Sequence, residues 1–317
     1  MTAKIIALEE HYADAELTAT FDGADAAKAP AIRERLEDVG ALRLKEMDQA
    51  GIMLQVLSHN SPATQNLEAT RAVPMARGVN DRLHAIVRSQ PTRFAAFAAL
   101  PTDDPVAAAE ELERAVTALQ FKGAMLHGRS RGEWLDHPRF LPIFERAAAL
   151  DVPLYLHPSN PHPDVVRAYY SDYAKDHPML VRAAWGYTVE TATQAIRLVL
   201  GNVFEKHPTL KIVLGHLGET LPFLLERIDE SLSRNPKFGR SFRQKFCRHF
   251  YVTTSGNFST PALLCSIMEL GIDRVLFSVD WPYIENDKGV EWMARVPLSQ
   301  DDKDKILFGN AKRLLHL

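Results

Sequence analysis

The opening stretch Lys4-Ile5-Ile6-Ala7-Leu8-Glu9-Glu10-His11 is an apolar run that ends in two carboxylates and an imidazole. Side chains alternate across a β-strand, so a strand here sends Glu9 and His11 to one face and Glu10 to the other. Packing gives a buried strand no reason to set an acid beside an imidazole, whereas a metal ion or a proton-transfer site does. The plainer alternative is a partly exposed strand end with ordinary polar residues. The pattern recurs, however: the apolar run 152–156 leads into His157, 211–214 delivers Gly215-His216, and 275–278 ends at Asp280. A single histidine is more often structural than a ligand. Titratable groups at the ends of four strands are hard to collect by chance. Two carboxylates and two imidazoles around one ion suit a borderline divalent cation such as Mn2+, Zn2+ or Fe2+, and no thiolate is near to suggest a structural zinc.

These groups converge only if the strands share one sheet. Apolar runs read as strands at 53–57, 94–100, 123–126, 152–156, 211–214, 250–254 and 275–278, after the first at the N-terminus. Helical spacing falls between them at 31–50, 75–89, 105–119, 138–150, 189–206, 219–234 and 261–270, with a last helix over 300–315. Eight strands, each followed by a helix, predict a single-domain (β/α)8 TIM barrel over 1–317, whose site lies at the C-terminal strand ends. A doubly wound open sheet is the alternative, but the Gly-rich phosphate turn it normally carries is absent. Two stretches read as covers for the mouth: 13–30, with Phe21 as its aromatic, and 158–186, with Tyr169, Tyr170, Tyr173 and Trp185.

Composition narrows the partners. With 317 residues, 46% hydrophobic, the chain can bury a large core, and a net charge of -3 gives no electrostatic reason for nucleic acid or an anionic membrane. A small-molecule substrate is expected. The two cysteines, Cys247 and Cys265, sit in apolar elements and fit a reducing compartment. With no signal-peptide pattern and no run long enough to span a bilayer, a cytoplasmic protein is expected.

The segments Leu8-Glu9-Glu10-His11, Tyr155-Leu156-His157-Pro158, Trp185-Gly186-Tyr187-Thr188-Val189-Glu190-Thr191-Ala192-Thr193, Leu214-Gly215-His216-Leu217-Gly218-Glu219 and Phe277-Ser278-Val279-Asp280-Trp281-Pro282 resemble the amidohydrolase-related decarboxylases. The branch they are most similar to is that of the γ-resorcylate (2,6-dihydroxybenzoate) and related hydroxybenzoate decarboxylases. The resemblance implies that Glu9, His11, His157 and Asp280 hold one divalent ion, Mn2+ or Zn2+, with no organic cofactor. It makes His216 and Glu219 an active-site pair and matches Arg227 to an arginine on the following helix, which holds that network or merely pairs with Glu230. The implied activity is non-oxidative decarboxylation of an ortho-hydroxybenzoate, reversible toward phenol carboxylation, by a homo-oligomer (dimer or tetramer). Asp280 would be the acid toward the ring carbon.

Hydrolytic relatives place two histidines on strand one and a bridging modified lysine on strand four; here Glu9 replaces one, and strand four offers Met125, Leu126 and His127. A mononuclear centre follows. It leaves open a hydrolase acting on a lactone or similar ring, with Asp280 as base, and a non-catalytic metal-binding barrel, although the polar groups exceed what ion storage needs. Departures in the basic loop 127–134 and at His59 bear on the substrate. Phe21, His59, His127 and Arg129 are the candidate substrate contacts; the structural alternatives are a backbone-bonded imidazole for His59 and a solvated loop for Arg129 and Arg131. His84, His137, His207 and His249 lie on helices or their flanks and receive no function.

Overall fold

Apolar runs bounded by turn residues form eight parallel strands in the computed structural model, which describes residues 4–21, 29–236 and 241–317. They are β1 (Ile6–Tyr12), β2 (Leu54–His59), β3 (Phe94–Ala96), β4 (Ala124–His127), β5 (Pro153–His157), β6 (Lys211–Leu214), β7 (Phe250–Thr253) and β8 (Val275–Leu276). Ladders join β1-β2-β3 and β4-β5-β6-β7-β8 in sequence order. A bridge between Ala98 and Ala124 connects the two sheets. The remaining seam, between β8 and β1, closes through the His11 N–H donating to the Trp281 carbonyl at 2.8 Å. The result is the expected (β/α)8 barrel.

Both faces of the sheet are buried, as parallel sheets require. Ile6, Leu8, Val56, Phe97, Met125, Tyr155 and Val213 pack together inside the barrel, while Ala7, Leu126, Leu156, Leu214 and Val252 pack outward with helix residues such as Leu83, Leu112, Phe144, Leu198 and Leu225. Ile6 and Leu8 therefore share the inner face, which by strict alternation would turn Glu9 outward. A register shift against β2 between Ala7 and Glu10 corrects this. The bulge places one extra residue in β1, so that Leu8 and Glu9 both face inward, Glu10 faces out, and His11 faces in. Bulges that re-aim a side chain beside a site are a recurrent device.

Several boundaries differ from the sequence reading. The expected helix 31–50 is two, Pro30–Glu37 and Ala41–Ala50, because the Asp38 carboxylate accepts from the Gly40 and Arg43 N–H groups and breaks the run. The expected helix 189–206 is Gly186–Leu200 and Val203–Lys206, separated where Asn202 takes a positive φ of 58°. After β8 the chain forms Asn286–Arg295 before its last helices. The cover 158–186 is built of short turns, including Pro163–Val165, Ser171–Ala174 and Pro178–Val181. In the 13–30 cover, Asp14 caps the short helix Ala15–Thr18, and residues 22–28 lie outside the described residues. Among the described residues no helix is long and apolar enough to cross a membrane.

Candidate metal centre

Glu9, His11, His157 and Asp280 each offer one ligand atom at the barrel mouth, and these atoms lie within 4.8 Å of one another. Glu9 Oε1 is 3.3 Å from His157 Nε2 and 3.9 Å from His11 Nε2. Asp280 Oδ1 is 3.3 Å from His11 Nε2. Glu9 Oε1, His11 Nε2 and Asp280 Oδ1 are buried without any hydrogen-bond partner. Orphaned buried polar atoms are costly, and three aimed at one point fit a cation. The donors, two carboxylate oxygens and two imidazole nitrogens, match the ion that the sequence implied.

The outer atoms of the ligands are already engaged. Glu9 Oε2 accepts from the Tyr155 hydroxyl, which also lies 2.7 Å from Thr253 Oγ1. His11 Nδ1 is 3.3 Å from Ser58 Oγ. His157 Nδ1–H donates to the Pro158 carbonyl at 2.7 Å, which leaves its Nε2 as the free lone pair. Outer partners of this kind orient metal ligands and fix their tautomers. Sequence reasoning missed Tyr155 because a tyrosine in an apolar strand reads as core.

Burial raises the Glu9 carboxyl, but the imidazoles of His216, His11 and His157 outweigh it and hold Glu9 far below the usual carboxylate range. Burial depresses His11, yet Asp280 and Glu9 overcome it and lift the imidazole to about 9. His157, buried and beside His11, is pushed down to about 4. The two imidazoles are thus pushed in opposite directions, His11 toward its protonated form by the facing carboxylates and His157 toward the neutral form that keeps a lone pair.

After β6 the chain enters an unusual turn: His216, Leu217, Gly218, Glu219 and Thr220 have φ of 51°, 57°, 84°, 54° and 64°. Left-handed backbone costs about 1–2 kcal/mol per non-glycine residue. The turn is held by Gly218 N–H to the Gly215 carbonyl at 2.8 Å, Ser266 Oγ to the Leu217 carbonyl at 3.1 Å and Asn257 Nδ2 to the His216 carbonyl at 3.3 Å. It brings His216 Nδ1 to 2.7 Å from Glu219 Oε1 and leaves His216 Nε2 3.8 Å from Asp280 Oδ2. Burial opposes charge on His216, but Glu219 and Glu9 outweigh it and raise its pKa well above the ordinary value. His216 is therefore held as a hydrogen-bond donor facing Asp280.

Gly215 is needed for close approach: a Cβ there would stand 2.7 Å from Glu9 Oε2 and 3.3 Å from the Tyr155 hydroxyl. Gly215→Ala is expected to displace the Glu9 carboxylate and weaken Mn2+ binding by roughly 10-fold, the lower end of the cost of disturbing a ligand's support. Isothermal titration of the metal-free protein with Mn2+ measures it.

The candidate substrate contacts fare differently. His59 is buried with both ring nitrogens occupied by backbone: Nε2 accepts from Asp14 N–H at 3.0 Å and Nδ1 donates to the Asn60 carbonyl at 2.8 Å. It is the backbone-bonded imidazole rather than a polar substrate contact, and it supports Phe21, whose ring centroid is 5.9 Å away. His127 is buried behind His157, its Nδ1 3.1 Å from that of the ligand, and acts on the ligand instead of the mouth. Arg129 is neither solvated nor offered to a ligand. Its Nε lies 2.8 Å from Glu190 Oε1 and its Nη2 donates to the Asn160 carbonyl at 3.3 Å, tying the β4 loop to the helix Gly186–Leu200. Arg131 is exposed, paired with Glu68 and Asp103. Arg227 stands on the exposed face of the helix Leu221–Ser233, whose buried side is Leu221, Pro222, Leu225 and Asp229, and makes no hydrogen bond to His216 or Glu219. Glu230 pairs with Arg234. Tyr283, which the sequence reading passed over, sets its ring 5.9 Å from that of His11 at the mouth.

A family model described as Amidohydrolase matches residues 11–317. The γ-resorcylate decarboxylase of Polaromonas sp. JS666 is 42% identical over 98% of each chain, and that of Rhizobium sp. MTP-10005 is 41% identical over the same shares. The solved structure of a dihydroxybenzoic acid decarboxylase from Polaromonas sp. JS666, with bound manganese and the inhibitor 2-nitroresorcinol, is similar at a TM-score of 0.91 and 41% identity, covering 99% of this chain and 97% of that one. With the family model matched from residue 11 to the end of the chain and relatives above 40% identity along 98% of it, the chain belongs to the amidohydrolase family.

Proposed function

We propose that this protein is a divalent-metal-dependent, non-oxidative decarboxylase of an ortho-hydroxybenzoate. The observation that carries the reading is the double placement of Asp280, with Oδ1 in the candidate ligand set and Oδ2 beside His216. The relatives named as γ-resorcylate decarboxylases support it over a lactone hydrolase. Mn2+ is the preferred ion, as in the Polaromonas structure, with Zn2+ as the second choice.

Glu9, His11, His157 and Asp280 would hold the ion, which when bound would supply Lewis-acid stabilisation of negative charge on the substrate. Asp280 delivers a proton to the ring carbon that bears the carboxylate. The C–C bond then breaks, its electron pair restores aromaticity, and CO2 leaves. His216, kept protonated by Glu219, donates a hydrogen bond to the substrate's polar groups and stands next to Asp280 for reprotonation from solvent. The reverse sequence carboxylates a phenol. No oxidant enters the balance.

The test is a panel of hydroxybenzoates assayed for CO2 release with Mn2+ and with Zn2+. Release from a 2-hydroxy or 2,6-dihydroxy acid supports the reading; ring opening of lactones without CO2 overturns it. We further propose a homo-oligomer, dimer or tetramer, acting in the cytoplasm on hydroxylated aromatic acids destined for breakdown. Exposed Tyr169, Tyr173, Met179 and Trp185 supply an apolar contact surface, and both cysteines are unpaired thiols. Light scattering at micromolar concentration is expected to return a multiple of the 35.5 kDa chain mass; a monomer removes the oligomer proposal alone.

A further inference from the structure

The metal centre leaves one carboxylate of β1 unused. Glu10 is fully buried on the outer side of the barrel wall, at the seam where the strand ladder is interrupted. Its Oε1 accepts from the Val279 N–H at 2.9 Å and the Ser278 hydroxyl at 3.1 Å. Its Oε2 accepts from the Trp281 N–H at 3.2 Å and Gln55 Nε2 at 3.4 Å. All of these partners are donors, an arrangement that favours the carboxylate against the burial that raises the Glu10 carboxyl to about 7.

Val279 and Trp281 flank Asp280. β8 ends at Leu276, and beyond it the Val279 and Trp281 carbonyls accept from the Gly256 N–H at 3.1 Å and the His11 N–H at 2.8 Å, while Asp280 between them sits at a φ of +76°, a conformation that a non-glycine residue keeps only when its surroundings impose it. Those bonds hold the carbonyls of the two flanking residues, and the Glu10 carboxylate holds their N–H groups. The same network reaches the other ligands: Ser278 Oγ accepts from the Glu9 N–H at 2.6 Å, and Arg43, 3.9 Å from the Trp281 ring, bonds Gln55 Oε1 at 3.2 Å and the His11 carbonyl at 2.5 Å.

We propose that Glu10 is a positioning residue of the centre, its carboxylate bridging the Val279 and Trp281 amides and thereby setting the direction of the Asp280 carboxylate. The proposal rests on the reading of Asp280 as ligand and acid. Glu10→Asp keeps the charge but is one methylene too short to span both amides; Glu10→Gln keeps the length but turns an N–H against an N–H. Each is expected to weaken Mn2+ affinity and lower kcat by about 10–100-fold, the usual cost of losing an outer partner of a ligand, with KM changing less than kcat.

The discriminating experiment is a double-mutant cycle with Asp280→Ala, which removes the candidate ligand oxygen altogether, read by electron paramagnetic resonance titration of Mn2+ and by the spectrum of the bound ion. If Glu10 acts through Asp280, Glu10→Asp adds no more than about 2-fold to the Mn2+ affinity loss in the Asp280→Ala background. Equal losses in both backgrounds, or a Glu10→Asp protein with parent affinity and spectrum, overturn the proposal. Glu111→Gln is the control for general destabilisation, since Glu111 is an equally buried carboxylate that accepts from Asn80 Nδ2 at 2.7 Å, away from the centre. A Mn2+ affinity change there as large as in Glu10→Asp also overturns it. Should Glu10→Gln not fold, the charge-conserving Glu10→Asp carries the test. Mn2+ binding needs no substrate, so failure of every hydroxybenzoate would count against the decarboxylase reading while leaving this result standing.

Discussion

Asp280→Asn is expected to retain Mn2+ and lose CO2 release by at least the roughly 10²-fold to 10⁴-fold that general acid catalysis supplies. Asparagine keeps an oxygen for the position of Oδ1, 3.3 Å from His11 Nε2, but has no acidic proton to give from the position 3.8 Å from His216 Nε2. His216→Asn should also be slow, for a different reason. It removes the donor that Glu219 holds at 2.7 Å and so leaves the substrate misplaced or unpolarised while the carbon acid remains. Metal content, substrate affinity and deuterium incorporation into the ring in D2O separate the two variants. If Asp280→Asn binds metal and substrate normally and still protonates the ring near the parent rate, Asp280 is a ligand only and His216 becomes the acid.

Glu9→Gln is expected to cost the most metal. The Glu9 carboxylate is fully buried, faces three imidazoles and accepts the Tyr155 hydroxyl on its other oxygen. The neutral amide must either turn its NH2 toward the ion, where it repels, or turn it toward the Tyr155 hydroxyl and offer the ion an uncharged oxygen in place of a carboxylate. The loss in Mn2+ affinity should exceed the roughly 10–100-fold assigned to an outer partner such as Glu10. Metal content after dialysis against a chelator measures it. Equal loss from Glu9→Gln and Glu10→Gln would overturn the ranking of Glu9 as the dominant ligand.

Much of this centre was legible because parallel strands announce themselves as apolar runs and a barrel puts their C-terminal ends in one place. Glu9, His11, His157, His216 and Asp280 needed only that inference to be gathered. The faces of Glu9 and Glu10 were assigned by alternation, and the assignment holds only because a bulge inverts the phase set by Ile6 and Leu8. No residue type marks that bulge. His59, His127 and Arg129 were recognised as polar groups near the mouth, but residue type does not say which partner a polar group has found. Backbone amides, a ligand imidazole and Glu190 claim them before any substrate can. Asp38 and Asn202 broke expected helices through local hydrogen bonding and positive φ, effects too short in range for periodicity to register. Arg227 was placed on the right helix, and the helix turns it outward.

The left-handed turn 216–220 bears on how this enzyme would respond to selection for heat resistance. Thr220 and Leu217, at φ of 64° and 57°, are positions where glycine relieves the strain of a side chain, so variants such as Thr220→Gly should surface early in a thermostability screen. Gly218 is the opposite case: at φ 84°, a Cβ would lie 2.9 Å from Pro222 and Val252 side chains, and alanine there has no room. A screen blind to turnover would then favour chains that relax this corner and let His216 drift from Glu219. The residues that carry the left-handed strain are the same ones that set the 2.7 Å His216–Glu219 contact, and a library meant to improve heat resistance and turnover together should leave that corner unvaried.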